Sequence, residues 1–493
     1  MNSTFFGLEL SRRALESQQV ALNITGHNIA NANTQGYTRQ IANLTATTPD
    51  SILTRGRTLS LGTGVTLDKI TRARDAFVDR QLRSETSKQQ YWTGKQDSLS
   101  KLEGIMNEPS DNSLSNDLNK FWVAWSDLSK SPENAGARAV VQERAITLTD
   151  SFHNIATQIS DMQINLDSNV KNQIDQINGY ANEIKDLNVQ IKRAEVTGDT
   201  PNDLLDKRDN LVDELSKIVK VNVTQTPDST YPKVDTYKLD IGDPPQTLVN
   251  DGVASQLQGI TNSSGIGGND ITSVQWVGDS IHSAGDPLNL GQNLGTLQAT
   301  IDTRDTYLPN LLAKYDSLVK GIVTAVNDIH KTGTATATAA TNTNFFDATN
   351  LTASTISLDP LISSDINNIV TGDGTAGDGS IASAISAFSS GWSTLTGTDL
   401  TNMKATYGAS LGDSYGATVS QLGVDVQQAN RMKAGEDVLV TNLTNQREST
   451  SGVSLDEEMT NLIKYQKSYS AAARMVTMMD DMLSTLLNMG VTK

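Results

Sequence analysis

Apolar residues recur at seven-residue intervals near both ends of this chain, and no other feature constrains its fold as strongly. Near the start, Leu8, Leu15, Leu22 and Ile29 form one stripe with Ala14 and Ala21 beside it. The spacing predicts a helix ending around Asn31, where Asn33, Thr34, Gln35 and Gly36 stop it. At the other end Leu455, Leu462, Tyr469, Val476 and Leu483 repeat the interval, and Tyr465, Ala472, Met479 and Leu486 follow three residues behind. Ser454 and Glu457 make a capping-box signature ahead of this second helix, and Gly490 is expected to close it. Seams this narrow bury little on an isolated helix. The two terminal helices are therefore expected to pair as an α-helical coiled coil, to remain mobile in the free chain, and to be ordered when copies polymerise.

Between the ends lies a helical block. Ile155, Ile159, Met162, Leu166, Val170, Ile174, Ile177, Ala181, Ile184 and Ile191 hold helical spacing, predicting a rod of about 54 Å. Gly198 ends it, and Thr200 and Pro201 suit the N-cap and first turn of a returning helix carrying Leu204, Leu205, Leu211, Leu215 and Ile218. Trp92, Leu99, Leu102 and Met106 suggest an earlier helix of the same bundle. From Val221 the period changes to two, through Val223, Tyr237, Leu239 and Ile241, with Asp243, Pro244 and Pro245 as a turn before Leu248. Helical spacing returns from Leu308 to Ile329. The stretch from Lys331 to Thr418 is rich in Thr, Ala, Ser, Asn and Gly, which reads as loop-rich β structure or disorder at the periphery.

The fold class is therefore α+β and multi-domain, roughly three domains for 493 residues. Residues 1–60 with 450–493 are expected to form the terminal coiled coil, and 61–220 with 295–330 and 419–449 a helical core. Residues 221–294 form a β-rich segment and 331–418 an outer variable domain.

A net charge of −17 argues against nucleic-acid binding, which depends on clustered Lys and Arg. One local exception is Arg55, Arg57, Lys69, Arg72, Arg74, Arg80 and Arg83, which outnumber Asp68, Asp75 and Asp79. It lacks aromatic stacking platforms and reads as a solvated or subunit-contact surface. With 0 cysteines there are no disulfides, thiolate metal sites or thiol nucleophiles. No window approaches a membrane span, and Arg12 and Arg13 interrupt the first apolar stretch, so a cleaved leader is not expected.

Catalytic signals fail on context. Gly412-Asp413-Ser414-Tyr415-Gly416 spells the nucleophile-elbow pattern, but no histidine follows it. Gly278-Asp279-Ser280-Ile281 resembles a lipase block with Asp328 and His330 downstream, over too short an interval for the intervening fold. The four histidines are isolated, Glu457 and Glu458 sit in a helical first turn where the dipole favours them, and Gly62-Thr63-Gly64 lacks the third glycine of a dinucleotide loop. No catalytic residue, metal or cofactor is expected.

The segment His27-Asn28-Ile29-Ala30-Asn31-Ala32-Asn33-Thr34-Gln35-Gly36-Tyr37-Thr38-Arg39-Gln40 resembles the N-terminal signature of bacterial flagellar axial proteins, in its hook-associated protein 1 form. Asn202-Asp203-Leu204-Leu205-Asp206-Lys207-Arg208-Asp209, Arg304-Asp305-Thr306, Phe345-Phe346 and Ser454 to Ala473 agree with it in order. The resemblance implies a non-enzymatic, extracellular structural subunit of the hook-filament junction. It further implies self-association in a ring, contact with the hook protein and with a second junction protein, and type III export without a cleaved leader. An export chaperone would hold the C-terminal helix. Asn28 and Asn31 are read as helix-end residues that bond backbone, Gly36 as a permissive bend beside Tyr37, and Arg39 as a carboxylate partner, locally or across a subunit contact. A rod or hook subunit, or a secreted adhesin or hydrolase, are the alternatives.

Overall fold

The computed structural model describes residues 5–54, 57–232, 234–334, 342–392 and 397–491. Helix α1 (Phe6–Ala30) opens the chain. Strands β1 (Gln40–Ala46), β2 (Asp50–Thr54), β3 (Arg57–Leu61) and β4 (Val65–Arg72) follow as an antiparallel ribbon: β1 pairs β4 from Gln40↔Arg72 to Ala46↔Val65, and β2 pairs β3 beyond it. This ribbon was not legible in the periodicity. Helices α2 (Ala76–Met106), α3 (Leu114–Lys130) and α4 (Ala135–Val196) come next. Each starts on a side-chain cap: Asp75 accepts from Phe77 N at 2.8 Å, Ser113 from Asn116 N at 3.4 Å and Asn134 from Gly136 N at 2.8 Å.

Helix α4 has 62 residues, about 93 Å, so the expected rod begins some twenty residues earlier than its isoleucine run. Gly198 turns the chain at φ 86°, and α5 (Asn202–Ile218) returns along α4. Pro201, not Thr200, precedes its first helical residue. Strands β5 (Val221–Pro227), β6 (Asp235–Ile241), β7 (Gln246–Asn250) and β8 (Val253–Ala254) form an antiparallel meander, and β9 (Leu257–Asn262) pairs β10 (Ile271–Trp276). After α6 (Gly295–Asp302), a π-turn over Thr303–Tyr307 leads into α7 (Leu308–His330). Short helices α8 (Pro360–Ser364), α9 (Ser380–Ser386) and α10 (Gly397–Tyr407) precede α11 (Leu411–Ser451) and α12 (Leu455–Val491). Helix α12 runs through Gly490 instead of stopping there.

Two apolar cores share α4 as their spine. Its N-terminal half, through Leu166, packs with α2, α3, α7 and α11; its C-terminal half, from Val170 to Ile184, packs with α5 and the β-rich segment. At the change-over Asp167 is buried, accepting from Arg304 Nη1 at 2.7 Å and Thr272 N at 2.6 Å.

The stretch after Lys331 departs from its expected place. Phe345, Phe346, Ile356, Ile362, Ile369, Ile385, Phe388 and Trp392 are buried in the same core as Phe121 and Trp125 of α3. Its described part is short helices joined by turns and irregular chain, with no strand longer than isolated bridges such as Phe346↔Leu358, so neither β structure nor a peripheral position holds for it. Sparse large side chains, each fully buried, replace the periodic stripe that a sequence reading looks for. Residues 335–341 of the Thr/Ala run lie outside the described residues.

Candidate functional site

The termini meet along an antiparallel helix pair. A Cβ on Gly7 would stand 2.5 Å from Met479 Cε, and Asn28 Nδ2 donates to Glu458 Oε2 at 3.1 Å. Both separations are 21 residues, so the pair holds register for about 32 Å. The helices thus pair within one chain, as the expected coiled coil does. Leu8, Leu15, Leu22 and Ile29 are half-buried, as are Leu462, Tyr469, Val476 and Leu483 with Tyr465, Ala472 and Met479. Leu455 is 51 % and Leu486 58 % exposed, so these two lie outside the seam of the single chain.

The fully buried face of α1 is a different one: Ser11, Ser17, Ala21, Ile24, Thr25 and Asn28. Their small side chains let the helix approach the ribbon, where Ser17 Oγ donates to Val65 O at 3.4 Å. The heptad leucines flank that contact and are only partly covered.

One hydrogen-bonded joint fastens this pair to the body. Asn28 uses both ends of its amide: Nδ2 donates to Gln40 O at 2.9 Å as well as to Glu458, and Oδ1 accepts from Tyr37 OH at 2.7 Å and Gln40 N at 2.9 Å. Arg39 donates from Nε to Glu458 Oε1 at 2.8 Å and from Nη1 to Glu457 Oε2 at 2.7 Å, while its backbone N–H reaches Ser451 O. Its carboxylates are therefore its own chain's. Asn31 is a local cap, donating to His27 O at 3.0 Å. Gly36 sits at φ 74°, and a Cβ there would overlap the Asn210 side chain on α5, so both conformation and space demand glycine. Burial, with Asp203, Asp206 and Glu458 nearby, raises the Tyr37 phenol above its ordinary value.

The Asn202–Asp209 motif receives this joint. Asp206 accepts from Thr38 N at 2.9 Å and Arg72 Nη1 at 2.8 Å; Asp203 accepts from Gln40 Nε2 at 2.9 Å. Asp209 pairs with Arg72 at 2.7 Å and Arg74 at 3.0 Å, and Asp213 with Arg83 at 2.6 Å and Arg447 at 2.9 Å. Burial alone would raise the Asp209 carboxyl, but Arg74, Arg72, Arg83 and Arg208 carry it down to about 2. Most of the local basic excess is thus neutralised by α5, not displayed to a polyanion. Arg55 lies outside the described residues, and so does the Arg57 side chain.

A second apolar row lines the outside of α12, and of its members Leu486 alone belongs to the seven-residue pattern. Met459, Ile463, Met475, Met478, Met482 and Leu486 are each at least 40 % exposed. Apart from the twelve-residue step from Ile463 to Met475, they are spaced by three or four residues along the helix.

The hydrolase readings dissolve. Ser414 lies in the first turn of α11, its N–H bonded to Ser410 O, with helix α10 ahead of it in place of a strand. His282 stacks on Trp276 at 3.9 Å with Nε2 2.6 Å from Thr247 O. His330 has both ring nitrogens engaged in the core, by Thr343 O at 2.7 Å and Val370 N at 2.9 Å. Among the described residues no cluster could hold a metal, and no helix is long and apolar enough to cross a membrane.

The chain is similar to known proteins over its whole length. Residues 99–346 match the family model described as the flagellar hook-associated protein FlgK helical domain; residues 8–38 match the flagella basal body rod protein model and 445–489 the flagellar basal body rod FlgEFG protein C-terminal model. Flagellar hook-associated protein 1 of Bacillus subtilis is 33 % identical over 523 residues, spanning 100 % of this chain and 99 % of its own. That of Escherichia coli is 27 % identical, spanning 96 % and 98 %. In fold, the chain resembles the flagellar hook junction protein FlgK from Burkholderia pseudomallei, with a TM-score of 0.59 and 14 % identity over 76 % of this chain and 100 % of that one.

Proposed function

The chain belongs to the flagellar hook-associated protein 1 family, a structural family of the flagellar hook-filament junction, and from that premise we propose how it assembles. Copies associate in a ring through their terminal helix pairs, between the hook protein on one side and a second junction protein on the other. Leu8, Leu15, Leu22 and Ile29 of α1 and Leu462, Tyr469, Val476 and Leu483 of α12 are the half-covered seam that neighbours complete, with Leu455 joining it from the exposed start of α12. The chain reaches the flagellum by type III export without a cleaved leader, its C-terminal helix held beforehand by a chaperone.

The observation that supports this reading is the row Met459, Ile463, Met475, Met478, Met482 and Leu486, exposed along a helix whose other side is already occupied by α1. An apolar stripe that long gains about 25 cal/mol per Å² when covered. No part of the reading calls on catalysis.

The test is complementation of a deletion strain with the double variant Met478→Asp, Met482→Asp. Both side chains are exposed, so the variant folds and is exported; motility is lost and filament protein is shed into the medium. Normal swimming on full-length filaments would refute assembly through this surface.

A further inference from the structure

Arg208 is 4 % exposed, yet among the described residues no carboxylate lies within ion-pair distance of it. Its Nη1 donates to Asn188 Oδ1 at 3.0 Å, its guanidinium lies 3.8 Å over the Tyr237 ring, and its Nε is buried without a partner. The Tyr237 hydroxyl, 3 % exposed as a residue, is likewise buried without a partner. Two orphaned donors in contact are uncommon in a native interior, where buried polar groups are paired. Burial pushes the Arg208 guanidinium below the usual arginine value, with Arg72 adding to that and Tyr237, Asp209 and Glu195 offsetting only part of it.

Both residues line a cleft of about 400 Å³ between the start of α2, α5 and β5. Arg72, Arg74, Arg80 and Arg83 line it too, with the carboxylates of Asp79 and Asp209 among them. Three of these are tied to Asp79, Asp206, Asp209 and Asp213, whereas Arg80 makes no ion pair among the described residues. Arg80 at the exposed rim and Arg208 beneath are the two arginines of the cleft outside these ion pairs.

We propose that this cleft is an oxyanion-binding site, accepting one carboxylate or phosphate group from Arg208, the Tyr237 hydroxyl and Arg80. The ligand supplies the acceptor lone pairs that the orphaned donors lack and the direct ion pair that Arg208 does not make. A bidentate guanidinium contact suits both planar and tetrahedral oxyanions.

The experiment is calorimetric titration of the full chain at pH 7 with sodium phosphate, and separately with sodium acetate, against sodium chloride at matched ionic strength. Saturable binding of phosphate or acetate and none of chloride is expected, acetate alone marking a carboxylate site. Tyr237→Phe keeps the ring beneath Arg208 and removes an unsatisfied hydroxyl, so it folds; oxyanion binding falls by at least about fivefold. Arg80→Ala, at the exposed rim, lowers it about threefold, and Arg208→Gln abolishes it. Equal responses to phosphate, acetate and chloride in the native chain, or unchanged affinity in Tyr237→Phe and Arg80→Ala, would overturn the proposal.

Discussion

Asn28 and Glu458, 430 positions apart in the chain, are joined by a buried hydrogen bond of 3.1 Å that fixes the start of α12 against the end of α1. Asn28 fills all of its amide's bonding capacity between α1, Tyr37, Gln40 and α12. Replacing it by Ala leaves the Gln40 N–H and a Glu458 oxygen buried without their partner. Asn28→Ala should cost about 2–3 kcal/mol. Hydrogen exchange should quicken in α1 and in the first turns of α12 and remain unchanged in α4.

Glu457 and Glu458 both meet Arg39, but Glu457 is 61 % exposed and Glu458 only 2 %. Screening makes the first pair weak, worth about 0–1 kcal/mol. Removing Glu458 leaves the Arg39 fork half-buried with only its exposed partner, and should cost about 2–4 kcal/mol. Denaturant melts of Glu457→Ala and Glu458→Ala should therefore differ several-fold in their loss of stability; equal losses would mean that burial is not what separates them.

Leu462 and Met482 sit on opposite sides of one helix. Leu462→Asp places a charge in the half-covered seam with α1 and should loosen the terminal pair in the free chain, seen as lost protection over residues 6–30. Met482 is 46 % exposed, so Met482→Asp should leave exchange untouched and affect only association.

Acid should weaken the protein in two separate windows. Burial pushes the His330 imidazole down to about 4, the Thr343 carbonyl offsetting only part of this. The unfolded chain takes up this proton near pH 6.5 and the folded one only near 4, so stability is complete above pH 6.5. On the order of 3 kcal/mol is lost as pH falls towards 4. Asp209, held down to about 2 by the arginines around it, keeps its contribution above its unfolded value near 3.8 and loses it as pH falls towards 2. Urea midpoints measured from pH 7 to 2 check both; in His330→Gln the upper window should be flat.

Phe345 is fully buried against Phe121, Trp125 and Phe346. Phe345→Ala should cost about 3–5 kcal/mol and lower the melting of the helical body as a whole. A peripheral segment would instead melt apart and leave the body unchanged, which calorimetry distinguishes.

The helices were legible because their evidence is local. Periodic apolar residues in α4, α5, α7 and α12, and the turn residues Gly36 and Gly198, state their conformation within a few positions of themselves. The family resemblance was equally legible, carried by short runs such as His27–Gln40 and Asn202–Asp209. What those runs do was not. Asn28 looked like a helix-end residue, and only the fold brings Gln40, Tyr37 and Glu458 around it. The arginines of 72–83 looked like a basic surface until α5, more than a hundred residues on, supplied their carboxylates.

Periodicity also misplaced the stretch after Lys331, because a side chain's burial there depends on which distant surface it meets, and Phe345 meets α3. In this protein, then, the amino-acid order alone determined which segments are helical and where they turn, since backbone propensity and side-chain spacing act over one or two turns. Only tertiary structure decided which charges cancel, which polar groups are satisfied and which apolar stripe stays uncovered, because those depend on distances between residues that the chain's order does not contain.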